Sequence, residues 1–293
     1  MHLPGLVRPL ADGSVAQQGD LLVEPLACPH VALSHELITS AMRDVHPGRA
    51  LVVGAGPCRE IPLVALAERF ARVVLQDQDA GDLATAAALV AGVASVTTEV
   101  CDLTGLTEEL VADAAQRIAI AGSPAHAVEQ LIERVQNASL RVAPPAPVWD
   151  LVIASCVGTQ LHIRALDAIT RCYAARFPHA PLAQSAAWTD AMMRFTWRLQ
   201  DDFMAHLLGL VAPGGRLYLS DTVQVGLLYL RADGGWRTPG WYRMTRERFL
   251  ADLLPPVAHL LHGGQWPHII AAPSLDAAGL LYNVHAVVMT RRA

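Results

Sequence analysis

The sequence predicts an α/β protein built on a mostly parallel sheet with helices covering both faces, and three features predict it. Residues 50–53, ALVV, form an apolar run that leads straight into Gly54-Ala55-Gly56. A second apolar run, RVVLQD over 72–77, closes on an aspartate. Between and beyond these runs, strand-like and helix-like segments take turns, which is the pattern of a parallel sheet with crossover helices.

In chain order, residues 1–30 are rich in turn formers and end near Pro29. VALSHELITSAMRDV, up to Pro47, carries apolar residues at helical spacing and reads as a lead-in helix by the site. Strand 50–54 follows, then a helix over 58–70 with Ile61, Val64, Leu66 and Phe70 inward, strand 72–77, helix 81–91 and strand 95–101. Residues 106–139 read as two helices separated by Gly122-Ser123-Pro124. APPAP at 143–147 is a connector before the apolar strand WDLVIAS, 149–155. Ile163, Leu166, Ile169 and Tyr173 then mark a helix beginning near His162.

The longest helical pattern spans 184–210, with Trp188, Met192, Phe195, Leu199, Phe203 and Leu207 at steps of three and four, a core stripe. Pro213-Gly214-Gly215 stops it before strand RLYLSD, 216–221. A helix over 240–254, a strand near 257–262, a glycine- and proline-bearing loop to 274 and a last strand over 280–292 complete the chain, the late strands forming an edge hairpin. No internal repeat divides the sequence, so residues 1–293 are expected as a single domain: a lead-in over 1–47 and a core over 48–293 with helical insertions near 106–147 and 163–205.

Composition narrows the function. At 53% hydrophobic and 17% charged, the chain belongs with globular proteins. A mean hydropathy of +0.31 comes without an apolar stretch long enough for a membrane helix. The N-terminus lacks the pattern of a secretion signal, and the cytoplasm is the expected location. The sequence has no lysine, which excludes Schiff-base chemistry and the lysine-dependent phosphate loop. A net charge of −5 with scattered arginines gives no basic stripe for nucleic acid. Five cysteines, odd in number and not closely paired, are read as reduced thiols, and no metal is expected from the spacing of the twelve histidines.

An apolar strand running into Gly-x-Gly lets the backbone turn sharply and approach a ligand, since glycine lacks the Cβ that would prevent it. An aspartate closing the next strand offers several acceptor sites to a ribose hydroxyl pair. The ligand is therefore expected to be nucleotide-like.

Five blocks in order, LVVGAGP, Asp77, VCDLTGL, WDLVIASCVGTQL and LLGLVAPGGRLYLSD, resemble a class I S-adenosylmethionine-dependent methyltransferase from about residue 48 to the C-terminus. The resemblance implies a Rossmann-like seven-stranded sheet, six strands parallel and the last inserted antiparallel, with helical insertions forming a lid. It implies S-adenosylmethionine as cofactor and a small-molecule acceptor, with no nucleic acid or membrane as partner. By residue, it places Gly54, Ala55, Gly56 and Pro57 beside the methionine portion, Asp77 on the ribose and Gln78 near the adenine face. Asp102 and Leu103 fall at the adenine edge, and Ser155, Cys156 and Val157 near the sulfonium. Two positions depart from the family. Val52 stands where an acidic residue is usual, and Cys58 where a third glycine is usual, a larger side chain expected to narrow the space for the amino-acid moiety; Glu60 is a candidate substitute for the ammonium contact.

For the chemistry, His162 follows the 149–155 strand where an acceptor would arrive and is the candidate general base, against a surface or capping role. Cys156 lacks the preceding proline of a cytosine C5 nucleophile and is read as a buried thiol. The indole rings of Trp188, Trp197, Trp236, Trp241 and Trp266 fall outside the cofactor blocks; Trp188 is read as core, and Trp236, Trp241 and Trp266 are open between core and acceptor pocket. Asp221 is read as a cap for its following loop in preference to a pocket carboxylate. The alternatives are a non-catalytic protein that keeps the cofactor site and an NAD(P)-dependent oxidoreductase. Arg59, at the third glycine position of a dinucleotide fingerprint, opposes the latter.

Overall fold

Strand residues of alternating orientation sort the buried apolar side chains onto the two faces of one sheet. In strand β2 (Arg49–Val53), Ala50 and Val52 enter one core while Leu51 and Val53 enter the other. The same alternation runs through β3 (Arg72–Asp77) and β5 (Trp149–Ser155). The computed structural model describes residues 21–23, 29–142, 148–230, 236–238, 241–243, 258–272, 274 and 277–292.

With β4 (Val96–Val100), β6 (Val211–Leu230), β9 (Ala258–Ala271) and β10 (Gly279–Arg291), the sheet runs β4-β3-β2-β5-β6-β10-β9. Strands β4, β3, β2, β5 and β6 pair in parallel. β10 is antiparallel to both β6 and β9, so it is inserted between two strands of the common direction. This is the seven-stranded, mostly parallel arrangement with an antiparallel last strand that the resemblance implied. The order reverses between β2 and β5, which opens a crevice at the carboxyl ends of those strands.

One face is covered by α1 (His30–Met42), α2 (Leu63–Arg69) and α3 (Ala80–Ala88), through Ile38, Leu66 and Leu83 among others. The other is covered by α4 (Thr107–Ile120), α5 (Pro124–Gln136), α6 (Ile163–Arg176) and α7 (Ala186–Leu210). Ser123 caps α5 by accepting the His126 N–H at 3.2 Å, with Pro124 in the first turn where its missing N–H is harmless. Arg134, nearly buried on α5, holds Asp113 at 2.6 Å and Glu109 at 3.1 Å on α4. Arg198 of α7 donates to the Val135 and Ala138 carbonyls, satisfying the end of α5. The insertions expected to form a lid are thus mainly a packed helical layer, and α6 is the one that reaches the ligand crevice.

Several boundaries differ from the sequence reading. Helix α2 begins at Leu63, not 58, because Pro62 disfavours helical backbone at Ile61; Val64, expected inward, is 55% exposed. β6 starts at Val211 and runs to Leu230, past the expected end at 221. Its Pro213-Gly214-Gly215 is accommodated where the register with β5 shifts. β9 continues through the segment expected as a loop: it is an edge strand paired with β10, so Pro267 loses no ladder bond on its open side. Trp241–Arg243 is a short strand, β8, pairing with β6, not the start of a helix; residues 244–254 lie outside the described ones. β1 (Leu21–Val23) and β7 (Trp236–Thr238) form a further small ribbon with β6.

The α7 stripe is core as expected: Trp188, Phe195, Leu199, Phe203 and Leu207 are all buried. Phe195→Ala should lower the unfolding free energy by about 3–5 kcal/mol, the usual range for emptying a buried aromatic site. Denaturant unfolding of both proteins measures this, and a change below about 1 kcal/mol would mean that α7 is not part of the main core.

Candidate functional site

The crevice begins where β2 ends. Gly54 and Gly56 have φ of +65° and +49°, values that glycine adopts without strain. A Cβ on Gly54 would run into the Val157 side chain, so this residue must be glycine for the two loops to pack. A Cβ on Gly56 would meet nothing within 4 Å, leaving open space beside the turn. The Ala55 N–H donates to the Gln76 carbonyl at 3.0 Å and the Gly56 N–H donates to Asp77 Oδ2 at 2.8 Å, which ties the turn to the end of β3.

Asp77 Oδ1 accepts the Asp79 N–H at 2.9 Å. Asp79 in turn caps α3, accepting the Gly81 and Asp82 N–H groups, and pairs with Arg164 of α6 at 3.1 Å. Those backbone donors first, and the Arg164 guanidinium after them, hold its carboxyl below the ordinary range. Beyond β4, Asp102 accepts from the Thr104 N–H, the Thr104 hydroxyl and the Thr107 N–H, at 2.7–2.9 Å. Burial pushes its pKa up, but these bonds outweigh burial and leave it lowered.

The far wall is the end of β5. Ser155 lies 3.1 Å from the Ser220 hydroxyl, and Cys156 has a φ of +52°, with its N–H donating to the Ser220 carbonyl. Burial pushes the Cys156 thiol far up, so it is held neutral and unreactive. Gln160 Nε2 donates to the Cys156 carbonyl at 2.7 Å, bracing the loop. Asp221, at 2% exposure, accepts from the Thr159 hydroxyl at 2.7 Å and from the Thr159 and Thr222 N–H groups. The expected role as a cap for its own following loop does not hold, because β6 continues past it; Asp221 braces the Gly158–Gln160 turn after β5, and Gly158 leaves no room for a Cβ against its Oδ2.

These loops enclose a cleft of about 390 Å³, the size of a small-ligand site. Gly54 to Pro57, Asp77 and Gln78, Asp102 and Leu103, and Ser155 to Val157 all line it, so every position assigned to the cofactor by resemblance borders one cavity. The charged lining is Glu60, Asp77, Asp79, Asp82 and Asp102 against Arg164. Neither Asp79 nor Arg164 is singled out by the sequence reading; Asp79 precedes a helix as a capping aspartate does, whereas Arg164 has no local signal, because its partners are more than eighty residues away.

Other expectations fall differently. His162 precedes α6 but does not line the cleft; its Nδ1 is buried without a hydrogen-bond partner and burial lowers its pKa. Cys58 does not narrow the cleft. With a φ of +54°, it turns its side chain into the core on the α2 side. Trp266 is also core, 2% exposed, and donates to His30 Nδ1 at 2.9 Å; burial holds His30 down to about 4. Trp197 is partly buried on α7, and the side chains of Trp236 and Trp241 lie outside the described residues.

No protein-family profile and no curated protein sequence matches the chain. Among solved structures, it is similar to the N-methyltransferase NodS from Bradyrhizobium japonicum WM9, at 10% identity and a TM-score of 0.42, covering 89% of this chain and 96% of that one. It is also similar to a SAM-dependent methyltransferase from Leishmania major, at 14% identity and a TM-score of 0.39, covering 89% and 71%. TrmN from Thermus thermophilus is similar at 16% identity and a TM-score of 0.39, covering 89% and 48%.

Burial raises Asp221 from 3.8 to about 6, against the bonds from Thr159 and Thr222. The folded state therefore binds the proton more tightly than the unfolded chain, and stability should fall as pH rises from about 4 to about 6, then level off. The drop is on the order of 3 kcal/mol. Unfolding curves across this range should show it in the wild type and not in Asp221→Asn; equal slopes in the two proteins would show that another group is responsible.

Proposed function

We propose that the cleft binds S-adenosylmethionine and that the protein is a methyltransferase acting on a small-molecule acceptor. The observation that carries this reading is the cleft's charge: a glycine turn of the nucleoside-binding kind faces five carboxylates and one arginine, itself paired with Asp79. Such a lining favours a cationic nucleoside and repels a pyrophosphate. The course of the chain after the turn supports the same choice. Residues 58–62 intervene before α2, so no helix N-terminus is offered directly beyond the glycines as a phosphate site. An NAD(P)-dependent oxidoreductase fits this cleft poorly.

The residues present suit the ligand. Asp77 uses one acceptor site on each oxygen for the Gly56 and Asp79 N–H groups, which leaves further lone pairs for two ribose hydroxyls. Gln78 would lie along the adenine face, with Asp102 and Leu103 at its edge. The open side of the Gly54–Pro57 turn would take the methionine portion, and Ser155 to Val157 would lie near the sulfur. When bound, S-adenosylmethionine supplies an electrophilic methyl group on a sulfonium for in-line displacement. The chain's own contribution is to fix that group and exclude water behind Val157 and Leu161. Alignment of this kind is worth roughly 7–11 kcal/mol in the best cases. The free cysteines at 58, 101, 156 and 172 suit a reducing compartment, and the cytoplasm is the proposed place of action.

Calorimetric titration should give saturable binding of S-adenosylmethionine and S-adenosylhomocysteine and no saturable heat with NADH; the reverse result would overturn the assignment. Asp77→Ala should weaken both nucleosides by roughly 10- to 100-fold, the loss expected when charged hydrogen bonds are removed. Methyl-labelled S-adenosylmethionine offered with a panel of small acceptors distinguishes an enzyme from a protein that only binds the nucleoside.

A further inference from the structure

We infer that Glu60 is the binding site for a primary ammonium group on the ligand of the cleft. The inference rests on the proposed function and extends it to a subsite that the glycine turn alone does not provide. It begins from how the carboxylates in the lining are already used. Asp77 receives two backbone N–H groups, Asp102 receives three donors, and Asp79 receives two N–H groups and Arg164. These groups build the walls. Asp82 is exposed on α3, away from the glycine turn in sequence and open to water.

Glu60 differs from all of them. It lines the cleft between the glycine turn and the end of β5, is partly buried, and lies near enough to Ser155 for that hydroxyl to favour its charged form. No ion pair joins it to a cation among the described residues. Arg59 and His35 favour its charge only through space, and both border the groove on the other side of the turn. Burial raises its pKa in spite of these helpers, as expected of a carboxylate withdrawn from water without a counter-ion. A cation arriving from the cleft would relieve that penalty.

The chemistry of the cation follows from the setting. Among the described residues no group of three or more histidine, cysteine or acidic side chains is placed to hold a metal, so a single carboxylate with a hydroxyl beside it suits an alkylammonium with directed N–H donors. Val52, two residues before the first glycine, is fully buried in the core and offers nothing at this place. A nucleoside whose ribose lies at Asp77 and whose chain follows the turn toward Ser155 brings its terminal amine to Glu60.

The test compares S-adenosylhomocysteine with 5′-methylthioadenosine, the same thioether nucleoside without the amino-acid group, in titrations of the full-length protein. Glu60→Gln should weaken S-adenosylhomocysteine by roughly 10- to 100-fold while changing 5′-methylthioadenosine by less than about 3-fold. Retained 5′-methylthioadenosine binding shows that the variant is folded, and Gln in place of a desolvated carboxylate should leave the unfolding midpoint unchanged or raised. If the wild type binds S-adenosylhomocysteine and Glu60→Gln loses neither ligand, or loses both equally, the inference is overturned and the proposed function stands. If the wild type binds no adenosyl thioether, the proposed function itself fails.

Discussion

The hydrogen bond from the Gly56 N–H to Asp77 Oδ2, 2.8 Å long, is the contact on which the site depends. It joins the turn after β2 to the end of β3, two strands whose parallel register already sets Val53 beside Gln76. The same carboxylate reaches Asp79, Asp79 starts α3 and pairs with Arg164, and Arg164 belongs to α6 beyond β5. One aspartate thus links the glycine turn to the opposite lip of the cleft through a short chain of polar contacts. A carboxylate fixed from both sides is pre-organised to accept further donors, because it need not be ordered again when a ligand arrives.

Two of the three non-glycine residues with positive φ among the described ones belong to the loops that shape this cavity, the third being Asp44. Cys58 and Cys156 both have positive φ, a conformation that costs roughly 1–3 kcal/mol for residues other than glycine. Each follows a central strand of the parallel sheet at the point where the chain must turn away from the ligand crevice. Asp221 adds a buried carboxylate beneath the second of these turns, with the Thr159 N–H and hydroxyl as its donors. The flanking strands, buried on both faces, supply the stability that keeps such turns in place.

Much of this was legible in the sequence because the determinants are local. An apolar run followed by Gly54-Ala55-Gly56, and another closing on Asp77, need only neighbours in the chain to announce a strand and its turn. The stripe on α7 is equally local, its core positions repeating at helical spacing. What was not legible depends on partners distant in sequence. The extent of β9 through Gly263, Gly264 and Pro267 follows from its lying at the sheet edge against β10, which no local rule reports. Arg164 joins the cleft through Gln78 and Asp79, and Trp266 is core because it meets His30. The placement of α4, α5 and α7 as a packed layer likewise follows from Arg134 and Arg198, whose partners lie on other helices.

The late start of α2 decides where the residues after the glycine turn can face. The Cys58 N–H bonds the Ala55 carbonyl and the Ile61 N–H bonds the Cys58 carbonyl, so two successive turns occupy the place of a first helical turn. Pro62 then fixes where the helix can begin. Had the helix started at 58, Glu60 would lie within its first turn and its direction would be set by the helix axis. In the observed path Glu60 belongs to a loop, free to face Ser155, while the Cys58 side chain fills the core behind it. Val52 is a buried apolar side chain of β2, and Glu60, which lines the cleft, is carried by the loop between the glycine turn and α2.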